Sequence, residues 1–499
     1  MKFTQLVSPA LALWAYAATA QPVEDIGEAC ETDTGSTSTA APVEVDVDVA
    51  IIGGGSGGIH AAIQLQAAGA NVAVIEKENR IGGHCKTFYA PVDVPINTGV
   101  IIFENNTAVI SYFEQLNVNL TFTNPVTDVP ASTPAAQNFD FSLGIPIPAQ
   151  SANDAQAQQA AIAAAVQSYT TNILAVYPWI DNGYLVPDPV PADLLLPFGE
   201  LAKKFSFEPL LPIIAQFNWF IGDVATIPAL YGIKCFGPGL VQSFFAKFII
   251  PTSTDAEDLY RAAANMLGES IYYQSTIMEV KRTVEGASTN GTSVTVLINQ
   301  PGQPAKLIRA KKLVVAIPPT MSNIGTYDLT SEETDIFSKF AGMGHWAGVV
   351  QVPGLTNSVR NIGAMTPYNT PVIPGANGIE LSASPGYFST SVGFEDTNYT
   401  LADGENVVRS ALATLETVGG VPAGSSAAAT FPYSADHAPY NVRVSMDDIS
   451  QGFYKKLLAL QGQRNTYWTG AAFAAHNSGL IWKYNVETIV PGVIADLGL

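Results

Sequence analysis

The sequence predicts an α/β fold in which one parallel-sheet domain is built from non-contiguous segments and an α+β domain is inserted in the gaps. Three observations predict it. An apolar run from Val45 enters a glycine cluster, Gly53 to Gly58, and a helix-like segment, Ile59 to Ala68, follows. Strand-like runs reappear far downstream at Ser270 to Val280, Ser293 to Asn299 and Lys312 to Ile317. A final strand-like piece from Thr466 ends in Gly470, and a second helix-like piece comes after it. Short apolar runs bounded by glycine or proline read as buried strands of a parallel sheet.

The first cluster has G-x-G-x-x-G spacing, with Gly53, Gly55 and Gly58 as its glycines and Ser56 and Gly57 between them. Gly53 allows the tight strand-to-helix turn, Gly55 lets the backbone approach a pyrophosphate, and Gly58 lets the helix pack on the strand. The helix N-terminus offers free N–H groups and a partial positive charge to phosphates. A second apolar run, Asn71 to Ile75, ends in Glu76, with Lys77 beside it. A carboxylate there can bind both ribose hydroxyls and repels a 2′-phosphate, which disfavours an NADP-like ligand. The bland alternative is a flexible glycine turn. The flanking strand, helix and acid make this a Rossmann-like dinucleotide site instead.

A second glycine pair follows in Arg80-Ile81-Gly82-Gly83-His84-Cys85-Lys86-Thr87. It resembles the R-x-G-G-R-x-x-[ST] motif of the FAD-dependent amine oxidase-like flavoproteins, with His84 in place of the usual arginine. The resemblance implies that this segment wraps the FAD pyrophosphate and ribityl chain. It extends to the Ser275–Val280 segment, where Ile277 would lie beside the adenine. It extends also to the closing block, where Gly470 and Ala471 would meet the flavin end. Within that superfamily the chain resembles the β-cyclopiazonate dehydrogenase-like group, on the GGH triplet and the Trp468-Thr-Gly-Ala-Ala-Phe-Ala-Ala-His476 ending.

Two departures bear on the substrate. The family's acid after the closing glycine is replaced by Ala471 and Ala472, and its cage tyrosine by Leu480. A simple amine is therefore not the expected substrate. His84 has three readings: a hydrogen-bond donor to phosphate or ribityl, an 8α-linked covalent tether to the flavin, or a structural histidine. The five histidines look scattered along the chain, and no metal-ligand spacing occurs. His60 reads as structural, and His345, Trp346, Trp468 and His476 as core or pocket residues.

The domain boundaries read as follows: signal peptide 1–20, lead-in 21–43, FAD-binding domain 44–105, 266–321 and 436–499, and substrate domain 106–265 and 322–435. The leader is one lysine, an apolar run and an Ala18-Thr19-Ala20 cleavage site. N-x-[ST] sequons at Asn105, Asn119, Asn290 and Asn398 support glycosylation and secretion. Cys30, Cys85 and Cys235 allow at most one intramolecular disulfide. A net charge of −20 argues against nucleic acid, and no stretch reads as a membrane span.

The function this implies is a secreted FAD-dependent oxidoreductase, an oxidase or dehydrogenase. It would move a hydride to flavin N5 from an apolar metabolite, nitrogen-containing or not, with O₂ or another acceptor reoxidising the cofactor. The alternatives are a redox-neutral isomerase of unsaturated lipids and a non-catalytic flavin-binding glycoprotein. The pocket is expected to be apolar, lined by Phe205, Phe207, Phe217, Trp219, Phe220, Tyr231, Phe244 and Phe245, although core packing would also explain these residues.

Overall fold

A computed structural model describes residues 41–91, 94–125, 127–218, 221–283 and 293–499. The leader, Cys30, Trp219, Phe220 and the Asn290 sequon lie outside the described residues.

Val43–Ile52 is the central strand of a seven-stranded sheet. It runs parallel to Val72–Ile75 on one side and to Lys306–Val315 on the other. Val49 to Ile52 and Val72 to Ile75 are buried throughout, which is why these runs read as continuously apolar rather than alternating. Lys306–Val315 has two partners on its far side. Its first half pairs antiparallel with Val294–Asn299, and its last residues pair parallel with Thr466–Trp468. The closing block is thus hydrogen-bonded into the sheet begun more than four hundred residues earlier.

The run Ser270 to Val280 is two strands rather than one. Ile271–Tyr272 pairs with Val72–Ile75 at one edge, and Thr276–Arg282 pairs with Val294–Asn299 at the other. Between them Gln274 takes a positive φ, and Gln274 and Ser275 donate their N–H groups to the carbonyls of Glu78 and Glu76. The break therefore ties this segment to the end of the strand that carries Glu76.

A nine-stranded sheet forms the second layer, around Ala341–Gln351 and Phe388–Phe394. It has its own core, including Phe139, Trp346, Phe388 and Leu412. Helix Leu401–Thr417 packs on it, opened by a capping box between Thr400 and Asp403. Gln137–Asp140 joins this sheet from before the helical segment. Tyr440–Arg443 also pairs with Ala341–Gln351, so the return to the first domain comes later than residue 436. The helices between 152 and 246 share one core with the first sheet, through Phe198, Leu211 and Tyr231. Among the described residues no helix is long and apolar enough to cross a membrane.

Candidate functional site

Three glycine turns, two from the first block and one from the closing block, meet at the carboxyl end of the first sheet. The first is the turn into helix Ser56–Ala67. Its N-cap, Gly55, makes no side-chain cap bond, and no acid stands in the first turn. The leading N–H groups of any helix lack intrahelical partners, so this end presents donors and positive potential toward the cavity. Gly53 has φ +104, which a side chain would strain. A Cβ on Gly58 would lie 1.9 Å from the Gly53 carbonyl oxygen and 3.1 Å from Ala316 Cβ. Gly58 is therefore a packing glycine behind the site.

The second turn is Gly82-Gly83, at φ +116 and +56. Gly82 N–H donates to the Gly54 carbonyl at 2.8 Å. A Cβ on Gly83 would stand 3.0 Å from Gly55 Cα, whereas one on Gly55 would meet only Gly83 Cα, at 3.9 Å. The two motifs thus face each other with no side chain between them. Arg80 does not line the cavity. Its guanidinium donates to the carbonyls of Cys85 and Gly83, both at 2.8 Å, and clamps the turn from behind. The third turn is Gly470, at φ +99, and a Cβ on Gly57 would lie 3.5 Å from Gly470 Cα.

Glu76 is buried at the end of its strand. One carboxylate oxygen accepts the Gly54 N–H at 2.6 Å, the other the Glu78 N–H at 2.8 Å. Burial pushes its pKa upward, opposed by these two bonds. It therefore braces the glycine turn as well as facing the cavity.

These parts open on one cavity of about 890 Å³, at the upper end of the roughly 300–1,000 Å³ usual for small-molecule sites. Gly53, Gly55, Ser56, Gly57, Glu76, Lys77, Gly82, Gly83, His84, Ile277, Gly470 and Ala471 all line it. Of the predicted binding residues only Gly58 and Arg80 stand behind its wall. The bare cradle between Gly55 and Gly83, with Glu76 beside it, fits the diphosphate and ribose of a dinucleotide.

Beyond the glycine turns the cavity runs to the junction of the two sheets. Here four of the histidines that are scattered along the chain come together. His84, His345 and His476 lie with His437 around Tyr440. Ring centroids stand 5.0 Å from Tyr440 for His84, 4.9 Å for His345 and 4.3 Å for His476. His437 lies 5.0 Å from His84 and 5.3 Å from His345. His84 and His476 come from the first domain, His345 from strand Ala341–Gln351, and His437 from the loop before Tyr440. Burial pushes the pKa of His84 down to about 4, that of His345 to about 3, and those of His437 and His476 well below the usual range. All four rings are neutral at neutral pH. Among the described residues no group of side chains is arranged to hold a metal ion.

The apolar lining is likewise corrected. Of the described aromatics among those named from the sequence, only Phe217 lines the cavity. Phe207 and Tyr231 are core, and Phe245 is half exposed. Adjacent aromatics on short helices point mostly into the helices' own packing, so their richness reported a core. The lining mixes Phe103, Phe217, Leu240 and Phe248 with Glu104, Asn218, Lys234, Cys235 and the histidines. Glu104, its pKa raised to about 8 by burial, accepts a 2.7 Å bond from Asn477, the N-cap next to His476. His60 stays outside, stacked on Trp482 in the core. Sequence reasoning missed His437 and Tyr440, since a Pro-containing loop carries no motif to mark them.

Cys85 and Cys235 both carry free thiols. Asn119 and Asn398 are exposed, whereas Asn105 is partly buried and donates its side-chain N–H to the Ala246 carbonyl.

The NAD(P)-binding Rossmann-like domain family matches residues 51–116. The chain is 52% identical over 451 residues to the FAD-dependent oxidoreductase dpchF of Colletotrichum higginsianum, covering 90% of this chain and 94% of that protein. It is 30% identical over 443 residues to the β-cyclopiazonate dehydrogenase of Aspergillus flavus, covering 88% and 91%. Among solved structures, a CLA-producing fatty acid isomerase from P. acnes superposes with a TM-score of 0.69 at 19% identity, covering 89% of this chain and 98% of that one. Putrescine oxidase bound to putrescine superposes with a TM-score of 0.58 at 13% identity, covering 91% and 100%. The last two likenesses establish the fold.

Proposed function

The chain belongs to the FAD-dependent oxidoreductases that include the β-cyclopiazonate dehydrogenases, and from that premise we propose that it is a secreted enzyme oxidising a mid-sized, largely apolar secondary metabolite. That it is an enzyme and that FAD is its cofactor follow from the family. When bound, FAD accepts a hydride equivalent from the substrate, and the protein supplies position and electrostatics. The turns at Gly53 to Gly58 and Gly82-Gly83 would hold the diphosphate, Glu76 the ribose, Ile277 the adenine side, and Gly470 and Ala471 the far end. The observation that carries the substrate reading is the continuous cavity. Its lining joins the glycine turns and the histidines to Phe103, Phe217, Leu240 and Phe248, with Glu104, Asn218, Lys234 and Cys235 among them. The leader and the exposed sequons at Asn119 and Asn398 support secretion.

The test is anaerobic mixing of the holoenzyme from culture medium with a panel of apolar metabolites that includes β-cyclopiazonate. Bleaching of the yellow colour, with peroxide released on admitting air or electrons passed to an added acceptor, is expected with at least one of them. A product isomeric with its substrate and no bleaching would move the reading to the isomerase. No turnover anywhere would leave a flavin-binding glycoprotein.

His84 also supports a covalent bond to the flavin. Its ring lines the cavity directly after the second glycine pair and is held neutral by burial, so a nitrogen lone pair is available for bonding. Acid precipitation of the wild type is expected to leave the yellow colour in the pellet, and of His84→Ala to release it to the supernatant. Colour in the wild-type supernatant would make His84 a hydrogen-bonding residue instead.

A further inference from the structure

The cavity wall that belongs to the second sheet is polar. On strand Phe388–Phe394 the core residues Phe388 and Val392 fix the alternation. Ser389 and Ser391 therefore project from the opposite face, and both line the cavity. Glu380 stands opposite Ser389 across the pairing with strand Gly378–Leu381 and lines it too, as does Asn377 just before that strand. This wall is set apart from the flavin end. His84 meets the second sheet at His345, both rings lying against Tyr440. At ordinary strand spacings, Val349, the partner of Ser389, is roughly 13 Å further along strand Ala341–Gln351. Glu380 is two strands over, roughly another 10 Å across the sheet.

The wall carries defined hydrogen-bonding capacity. Glu380 accepts from Arg360 Nε at 2.7 Å and Nη2 at 3.3 Å, and the two side chains are only 14% and 10% exposed. Taking such a pair out of water is expensive, and a wholly apolar ligand would complete its desolvation with nothing in return. A carboxylate has about four acceptor positions, and Arg360 and the Ser358 hydroxyl leave part of that capacity to the cavity. Asn377 Oδ1 accepts the Ser391 N–H at 3.1 Å, which leaves its Nδ2 donors. Helix Leu211–Phe217 is bonded to the same sheet, for Gln216 Nε2 donates at 2.7 Å to the Asn361 carbonyl on the strand beside Gly378–Leu381. The next residue, Phe217, lies 5.8 Å from Phe248, and both line the cavity. Phenyl surface and hydrogen-bonding surface thus meet in one compartment.

We infer that the substrate is amphipathic, with an uncharged hydroxylated end held by Ser389, Ser391, Asn377 and Glu380 and an apolar body against Phe217 and Phe248. This rests on the oxidoreductase reading of the site and names the chemical class of its substrate. Arg360 already balances Glu380, so the wall has no net charge to offer an ion. A few placed polar groups in a largely apolar pocket fix a ligand's orientation, and a site built to bond a substrate hydroxyl rejects analogues lacking it far more strongly than a hydrophobic pocket rejects a missing methylene.

The test is anaerobic titration calorimetry on the FAD holoenzyme with probes that share one tail: 1,2-octanediol, its dimethyl ether, octanoate and octylamine. Wild type is expected to bind the diol about ten- to a hundredfold more tightly than the ether, the range for losing donated hydrogen bonds to a part-buried wall. Octanoate and octylamine should both bind more weakly than the diol. Ser389→Ala/Ser391→Ala should cut the diol's advantage about fivefold or more, with binding of the ether unchanged. Phe217→Ala should weaken diol and ether alike. The yellow colour and circular dichroism of each variant report folding separately, and the wild-type ranking needs no variant. Equal affinity for diol and ether, binding of no probe, a charged probe as the tightest, or an undiminished advantage in the folded serine variant overturns the inference. Because the readout is binding, it fails independently of the turnover test above.

Discussion

Replacing Gly58 by alanine is expected to give a colourless protein. The added Cβ would sit 1.9 Å from the Gly53 carbonyl oxygen and 3.1 Å from Ala316 Cβ. The first is a backbone atom and the second a Cβ fixed directly to backbone, so neither can step aside. Gly53, just past the end of the central strand, donates its N–H to the Ile75 carbonyl, and Ala316 donates its N–H to the Ile52 carbonyl. The helix Ser56–Ala67 would have to tilt away from the sheet it packs on, carrying Gly55 away from Gly83. Overpacking of this kind costs about 1–3 kcal/mol, or more where backbone must move. The diphosphate cradle depends on the same atoms, so cofactor loss should exceed the loss of stability. The measurement is the ratio of visible to ultraviolet absorbance in purified protein, beside thermal unfolding with added FAD. A yellow Gly58→Ala variant of unchanged stability would show that the helix has room the structure denies it. Gly69→Ala, with nothing within 4 Å of its Cβ but φ +96, is a comparison that strains only the backbone.

Arg282→Leu is expected to be the most destabilising single change away from the cavity. The Arg282 side chain is fully buried, and its guanidinium donates to both Glu333 oxygens, at 2.7 and 2.9 Å, and to Asp328 at 2.9 Å. Arg464 donates to the same Asp328 at 2.6 Å. The network joins strand Thr276–Arg282, which carries Ile277 to the cavity, to helix Ser331–Phe337 and to the turn before the closing strand. Removing the guanidinium leaves the buried Glu333 carboxylate with only the Thr330 N–H and the Arg464 guanidinium, 3.5 Å away, a loss toward the lower end of the roughly 3–5 kcal/mol for breaking a buried pair. Arg282→Leu/Glu333→Leu should recover much of it, since no charge then remains unpaired.

The pH dependence carries the same signature. Burial alone would raise the Glu333 carboxyl, but the bonds from Arg282 and the Thr330 N–H, with the charges of Arg282 and Arg464, together outweigh it and hold its pKa below the ordinary value. A depressed carboxylate stabilises the fold above its unfolded pKa, and that contribution is lost as pH falls through the folded one. Wild type should therefore lose stability on acidification below the usual carboxylate range. In Arg282→Leu the Arg282 share of that contribution is absent, so its acid slope is shallower. Equal slopes in urea unfolding from pH 6 downward would exclude a role for the pair.

The cofactor half of the site was legible in the chain because its requirements are local. A tight turn, a close backbone approach and a packed helix each demand glycine within six residues, and Glu76 follows at a spacing set by one helix and one strand. The second glycine pair and the closing block added the kind of dinucleotide by resemblance. Nothing local marks the substrate half. The strand run from Ser270 looked continuous because a positive φ at Gln274 leaves no trace in hydropathy. The aromatics between 198 and 250 looked like a pocket because residue type does not say which way a short helix faces.

The histidines are the clearest case. His84, His345, His437 and His476 are spread over almost four hundred residues, and each alone is an unremarkable half-polar ring. The sequence carries the glycine turns and the acid that call for FAD, because those are properties of consecutive residues. Whether three of these rings meet on Tyr440 and the fourth packs behind them depends on how two separate sheets, each assembled from distant segments, lie against one another. That placement is set by the burial of both cores together, and no spacing within the chain encodes it.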